Sequence, residues 1–268
     1  MRRALLVAAA VLIISSSAPS RAAAAGKPAS DQAQKRTPPL STTAQILVRQ
    51  VEFAVKDLTE EQKKKLEVLA VKYDGEIVPL ERKREEDHRA SMRRALETGT
   101  PIDLKAREVI SGVQKRKEER VEQKYVDLVD QQVLTPAQRP LWEAYRLHFL
   151  STFHLGLAGA TRDQLVQAGE LAKKVVKEIK SVKDADRATL SALSAAGART
   201  GSPLFETRLD VLRQRAAQEI LNDEQRKKYL ELLGKREEYL AEVDQAEKSG
   251  ETYPALAADK KAEEALPF

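Results

Sequence analysis

The chain has 268 residues, with 32% charged and only 4% aromatic side chains and no cysteine, which excludes disulfides, thiolate metal sites and a lipid-attachment thiol and leaves packing as the source of stability. Its formal net charge of +5 includes Arg2, Arg3 and Arg21, so without that leading segment the balance is 5 − 3 = +2. Basic and acidic residues alternate along nearly every later segment, which excludes the one-sided basic surface of a nucleic-acid binder.

Residues 1–25 read as a signal peptide: Arg2 and Arg3 form a positive n-region, Ala4 to Ile14 an apolar stretch, and the alanines at 22–25 a small-residue cleavage site. The apolar stretch is too short to span a bilayer, which takes roughly 20 residues, and no later segment is a candidate. The expectation is a periplasmic or otherwise exported protein with no integral membrane span after cleavage. Residues 26–41, with Lys27-Pro28 and Thr37-Pro38-Pro39, read as a disordered linker.

Leu47, Val51, Ala54 and Leu58 recur at helical spacing and predict a first helix over about 43–56. A second opens at Thr59, carries Leu66, Leu69, Tyr73, Ile77 and Leu80, bends at Gly75 and Pro79, and stops at Gly99. Thr100-Pro101-Ile102-Asp103 opens a third, with Val109, Val113, Val121 and Tyr125 along one face. A fourth begins at Thr135. Its Trp142, Tyr145, Phe149 and Phe153, spaced three, four and four apart, form an aromatic stripe that is expected to be core, the alternative being an exposed client or interface patch. The glycine-containing stretch 195–202 lacks the lysine of a phosphate loop and reads as a connector between helices. Residues 247–268 have no sustained apolar period and read as a disordered tail.

Two segments share a local design, Leu58-Thr59-Glu60-Glu61-Gln62 and Leu134-Thr135-Pro136-Ala137-Gln138. In each, the threonine side chain can accept from the glutamine amide while the glutamine side chain reaches back to the threonine N–H, a capping box. Paired in this order behind a signal segment, they give the chain a resemblance to the Spy/CpxP family of periplasmic stress proteins, marked by two L-T-x-x-Q motifs flanking a helical hairpin. The resemblance covers residues 58–145 and rests on Leu58, Thr59, Gln62, Leu134, Thr135 and Gln138, whose own physics is capping. It implies a hooked all-helical fold that dimerises into a cradle and, in some members, binds unfolded proteins without ATP; other members damp an envelope stress kinase or bind zinc. The departure is length, since about a hundred residues follow the second motif.

Those residues contain two more caps. Ala160-Thr161-Arg162-Asp163-Gln164 keeps the threonine and glutamine, and Leu221-Asn222-Asp223-Glu224-Gln225 keeps the leucine and glutamine with asparagine as the cap. The expected fold is therefore all-α, with extended antiparallel long-helix hairpins in two tandem halves, an LTxxQ-type half at 42–158 and a degenerate repeat at 159–246. A tandem repeat makes the chain an intrachain pseudo-dimer. The alternative is a homodimer whose second half is an unrelated extension.

No serine or histidine lies in a recognised nucleophile motif, and no dinucleotide fingerprint is present. Of His88, His148 and His154, the last two are six residues apart and point to different sides of a helix, so no metal site is expected. The sequence leads to an exported, non-enzymatic helical protein without a cofactor, with unfolded or envelope proteins as partners. The alternatives are a structural or scaffolding helical protein and a zinc-binding stress sensor.

Overall fold

The computed structural model describes residues 40–184 and 202–253. Residues 1–25, where a signal peptide is expected, nearly all of the expected linker, residues 195–201 of the expected connector and the tail from residue 254 lie outside the described residues. The fold is all-α, and no strand occurs among the described residues.

Helix α1 (Thr42–Ala54) starts where the Ser41 hydroxyl accepts from the Ala44 N–H, and it buries Ala44, Leu47 and Val51 on one face. Helix α2 (Glu60–Thr98) opens with the complete Thr59–Gln62 capping box, runs unbroken through Gly75 and Pro79, and ends on Gly99 in the left-handed conformation, φ 65°. Helix α3 (Leu104–Leu128) is capped by Asp103 and passes into a π-helical turn, Val129–Val133. Glu76 meets Lys124 and Tyr125, Arg84 meets Glu118, and His88 meets Arg107. Rising numbers on α2 thus face falling numbers on α3, and the two helices run antiparallel.

Helix α4 (Arg139–Leu157) begins three residues later than the cap at Thr135 predicted. The Gln138 side chain does reach back to the Thr135 N–H at 3.0 Å, but the Gln138 N–H bonds the Thr135 carbonyl, and the Thr135 hydroxyl caps nothing. Pro140 is the reason: the Arg139 N–H does bond the Thr135 carbonyl at 3.1 Å, but Pro140 has no N–H to give the Pro136 carbonyl, so this first α-helical bond is not followed by a second and continuous helix starts only at Arg139.

Helix α5 (Arg162–Glu178) opens with the complete Thr161–Gln164 box and is followed by a short 3₁₀ turn, Val182–Asp184. Helix α6 (Pro203–Arg215) is capped by Ser202 and passes into a second π-helical turn, Ala216–Ile220. Helix α7 (Asp223–Ser249) opens with the Asn222–Gln225 box. Order does not stop at residue 246, as the sequence suggested. α7 continues to Ser249, closes on Gly250 at φ 69°, and leads to Tyr253, whose buried ring packs among Val109, Ile110, Val113 and Val243 and whose hydroxyl donates to Gln114 at 3.1 Å. One large aromatic suffices to pin the chain, and a lone tyrosine has no periodicity to announce it.

Three apolar clusters hold these helices. The first joins α1, α2 and the end of α3, with Leu58, Leu134 and Trp142 closing it. The second joins α4, α5, α6 and the start of α7. The third, around Tyr253, lies between α3 and α7, where the side chains of Tyr239 and Val243 press on Gly112: a Cβ there would sit 2.4 Å from the Tyr239 hydroxyl oxygen. Arg116 reinforces this seam, binding Asp244, Glu247 and the Leu240 carbonyl. Helix α4 serves two clusters, sending Trp142 into the first and Ala144, Leu147 and Leu155 into the second.

Candidate functional site: glutamine clasps and an aromatic ladder

The four motif glutamines meet in pairs. Gln62 and Gln138 are buried; the Gln62 side-chain amide donates to the Gln138 side-chain oxygen and to the Val133 carbonyl, both at 2.7 Å. Gln164 donates likewise to the Gln225 side-chain oxygen at 2.9 Å and to the Ile220 carbonyl at 2.7 Å. Each second glutamine then donates two residues ahead of the first cap's threonine, Gln138 to the Asp57 carboxylate and Gln225 to the Gly159 carbonyl.

The backbone around each pair matches as well. Leu134 and Leu221 are both extended and buried, each donates its N–H to the carbonyl five residues back, and each follows a five-residue π-helical turn. A π-turn widens the helix end, so the last carbonyl, Val133 or Ile220, is released from the ladder and offered to the glutamine amide. Among the described residues the two parts thus share turn type and clasp geometry. Their glutamine pairs differ in burial, since Gln164 and Gln225 are half-exposed. The sequence identified these residues as caps but gave no sign of the clasp, a contact between side chains 76 and 61 positions apart.

The aromatic stripe is not the core element expected. Only Trp142 is buried, at 2% exposure, whereas Phe149 and Phe153 are 54% and 52% exposed, and Phe53 of α1 joins them at 68%. Trp142, Tyr145 and Phe149 stack with centroids 5.9 and 6.2 Å apart, and Phe53 leans on Tyr145 at 5.6 Å. Leu147 and Leu155 instead take the buried face of α4 toward α5 and α6. The result is a ladder of rings fixed at its Trp142 end in the first core and open to solvent at its Phe149 end, with Phe153 edge-on to His154 one turn further along α4. Rings held this way present apolar surface with little conformational freedom left to lose on contact.

The histidines do not converge. His88 lies against Arg107, His148 against the Leu165 carbonyl at 2.9 Å, and His154 near Arg236. Burial and the neighbouring Arg236 and Arg213 push the His154 pKa down to about 4. Among the described residues no cluster of three or more metal-ligating side chains occurs. A cavity of about 210 Å³ opens between α3, α4, α6 and α7, lined by four arginines and four glutamates among apolar residues, so its charge favours neither anion nor cation. Burial raises the Glu122 carboxyl on its wall and lowers the Arg146 guanidinium. No helix among the described residues is long and apolar enough to cross a membrane.

Comparison of the chain with protein-family models, curated proteins and solved structures found no match.

Proposed function

We propose that this is an exported, non-enzymatic, ATP-independent holding protein for unfolded chains, related in design to the Spy/CpxP proteins. The observation that carries the reading is the aromatic ladder. Phe53 and Phe149 both pack on Tyr145, which stacks on the buried Trp142, and Phe153 lies a turn further along α4; all three phenylalanines are more than half exposed and make an apolar surface that neither the first nor the second core uses. An unfolded segment would bury its own apolar side chains on these rings, and the interspersed surface charges would draw it in at longer range. No chemistry is required of the protein, and turnover would follow from the modest strength of a small apolar contact.

The test is suppression of light scattering by a denatured client, using the mature protein without nucleotide. Wild type should hold the client soluble near stoichiometric ratio, and the double variant Phe149→Ser, Phe153→Ser should do so poorly while melting at the same temperature. Equal protection by the folded double variant would remove the ladder from the mechanism, and no protection by wild type would leave the scaffolding alternative.

A further inference from the structure

The two most exposed large apolar side chains among the described residues are Leu96 at 76% and Leu104 at 72%, one on each side of the turn between α2 and α3. A lone exposed leucine is ordinary, but two at one turn make an apolar surface that the described helices leave uncovered. The chain returns to this turn where the described residues end. Tyr253 is seated across both helices, its ring edge-on to His88 of α2 at 6.2 Å and its hydroxyl donating to Gln114 of α3. Leu96 lies eight residues beyond His88, about 12 Å along α2, and Leu104 lies six residues before Ile110, which packs on Tyr253, about 9 Å along α3. The fifteen residues that follow Tyr253 reach up to about 50 Å when extended, so the whole turn is within their span. They carry three large apolar side chains, Leu256, Leu266 and Phe268.

A single buried cation gives the direction. Arg107 lies on α3 between the seat of Tyr253 and Leu104, is 9% exposed, and forms no ion pair among the described residues. Its guanidinium meets the His88 ring at 3.0 and 3.1 Å, and its Nε has no partner. A cation held out of water without a counter-charge is costly. On the far side of Tyr253 the cations of α3 are already served, Arg116 by Asp244 and Glu247 and Arg120 by Glu247. The unmet demand for a carboxylate is therefore on the turn side, and residues 254–268 hold three, Asp259, Glu263 and Glu264. Tethered at Tyr253, these residues meet the turn at an effective concentration in the millimolar range, which neither a second copy of the chain nor a dilute client matches.

We propose that residues 254–268 fold back from Tyr253 toward the α2–α3 turn, covering Leu96 and Leu104 with their own apolar side chains and setting a carboxylate against Arg107. The turn is then an apolar surface masked by the chain itself. This contact is separate from the aromatic ladder and does not depend on client binding.

The absence of cysteine makes a position-specific test available. Leu104→Cys, and Val166→Cys as a control on an exposed site of α5, are each labelled with bimane in the full chain, and quenching by acrylamide is measured. At a millimolar effective concentration the tail is docked in most molecules, so quenching at 104 should be about twofold or more weaker than at 166 and independent of protein concentration. Leu256→Ser with Leu266→Ser and Phe268→Ser should raise it to the level at 166, and Asp259→Asn with Glu263→Gln and Glu264→Gln should raise it part of the way. Because a label at 104 alters the surface under test, a second arrangement carries the bimane at Leu256→Cys, where shielding should be lost in Leu96→Ser, Leu104→Ser. Circular dichroism confirms that each variant is folded. Equal quenching at 104 and 166 together with an unshielded label at 256 would overturn the proposal. So would shielding at 104 that survives the serine changes, or that grows with protein concentration and so assigns the turn to a second copy of the chain. Shielding unaffected by loss of the three carboxylates would overturn the pairing with Arg107.

Discussion

Replacing Gln62 with alanine tests the clasp most directly. Its side-chain oxygen accepts from the Thr59 N–H at 3.0 Å, and its amide donates to the Val133 carbonyl and to Gln138, each at 2.7 Å. At a net value of about 0.5–1.5 kcal/mol for each hydrogen bond, the loss of three sums to about 1.5–4.5 kcal/mol. The upper part of that range applies because the site is buried and the Val133 carbonyl, already out of the helical ladder, is left without a partner. In a helical domain of this size that corresponds to a fall in Tm of roughly 5–15 °C, at about 2–4 °C per kcal/mol. Gln164→Ala removes the equivalent three bonds and a fourth, from the Gln225 amide to the Gln164 side-chain oxygen, but at a half-exposed site where water can replace them, and should cost less than Gln62→Ala. Urea titration of both variants and of Thr59→Ala gives the comparison, and a double-mutant cycle between positions 62 and 138 should show coupling of about 0.5–3 kcal/mol. If Gln62→Ala costs no more than Thr59→Ala, or no more than Gln164→Ala, the clasp adds nothing to the caps and the reasoning fails.

Further outcomes follow from single contacts. Thr135→Ala should change stability by less than about 0.5 kcal/mol in a urea titration, because the exposed hydroxyl caps nothing, whereas Thr59→Ala loses a real cap worth about 1 kcal/mol. Gly112→Ala forces a methyl group against Tyr239 and Val243 and should destabilise by about 1–3 kcal/mol through spreading of α3 from α7; an unchanged urea midpoint would mean that this seam is loose. His154 has its folded pKa, about 4, below the ordinary value of 6.5. Its contribution is therefore fully present above about pH 6.5 and is lost as pH falls from there toward 4, so urea midpoints of wild type should fall across that window more steeply than those of His154→Gln. Phe149→Ser and Phe153→Ser should leave Tm nearly unchanged while weakening client protection, since both rings are more than half exposed.

Helices and their starts were legible because they are local. The Thr59, Thr161 and Asn222 boxes need only four consecutive residues, and all three form. Thr135 failed through Pro140, whose effect lies outside the pentapeptide that the motif describes. The π-helical turns had no legible sign, because Val129–Val133 and Ala216–Ile220 differ in composition and share only their position before a buried leucine. The clasps were illegible for a related reason: a cap fixes where a glutamine sits but says nothing of what faces it across the molecule. Periodicity placed Trp142, Tyr145, Phe149 and Phe153 on one side of α4 and could not tell whether a neighbour covers that side. In the fold Leu147 and Leu155 take the buried position, and the rings beyond Trp142 are left at the edge.

The double use of α4 has a consequence for how the molecule can come apart. A chain cut after residue 158 would keep Trp142 in place but strip the covering from Leu147, Leu155 and Ala158, and the remaining piece would lose the wall on which α5 and α6 rest. Neither piece has a complete interior of its own. The repeated clasp geometry therefore does not mark two separable modules: through α4 the two parts share a party wall, and residues 40–253 should melt in one cooperative transition.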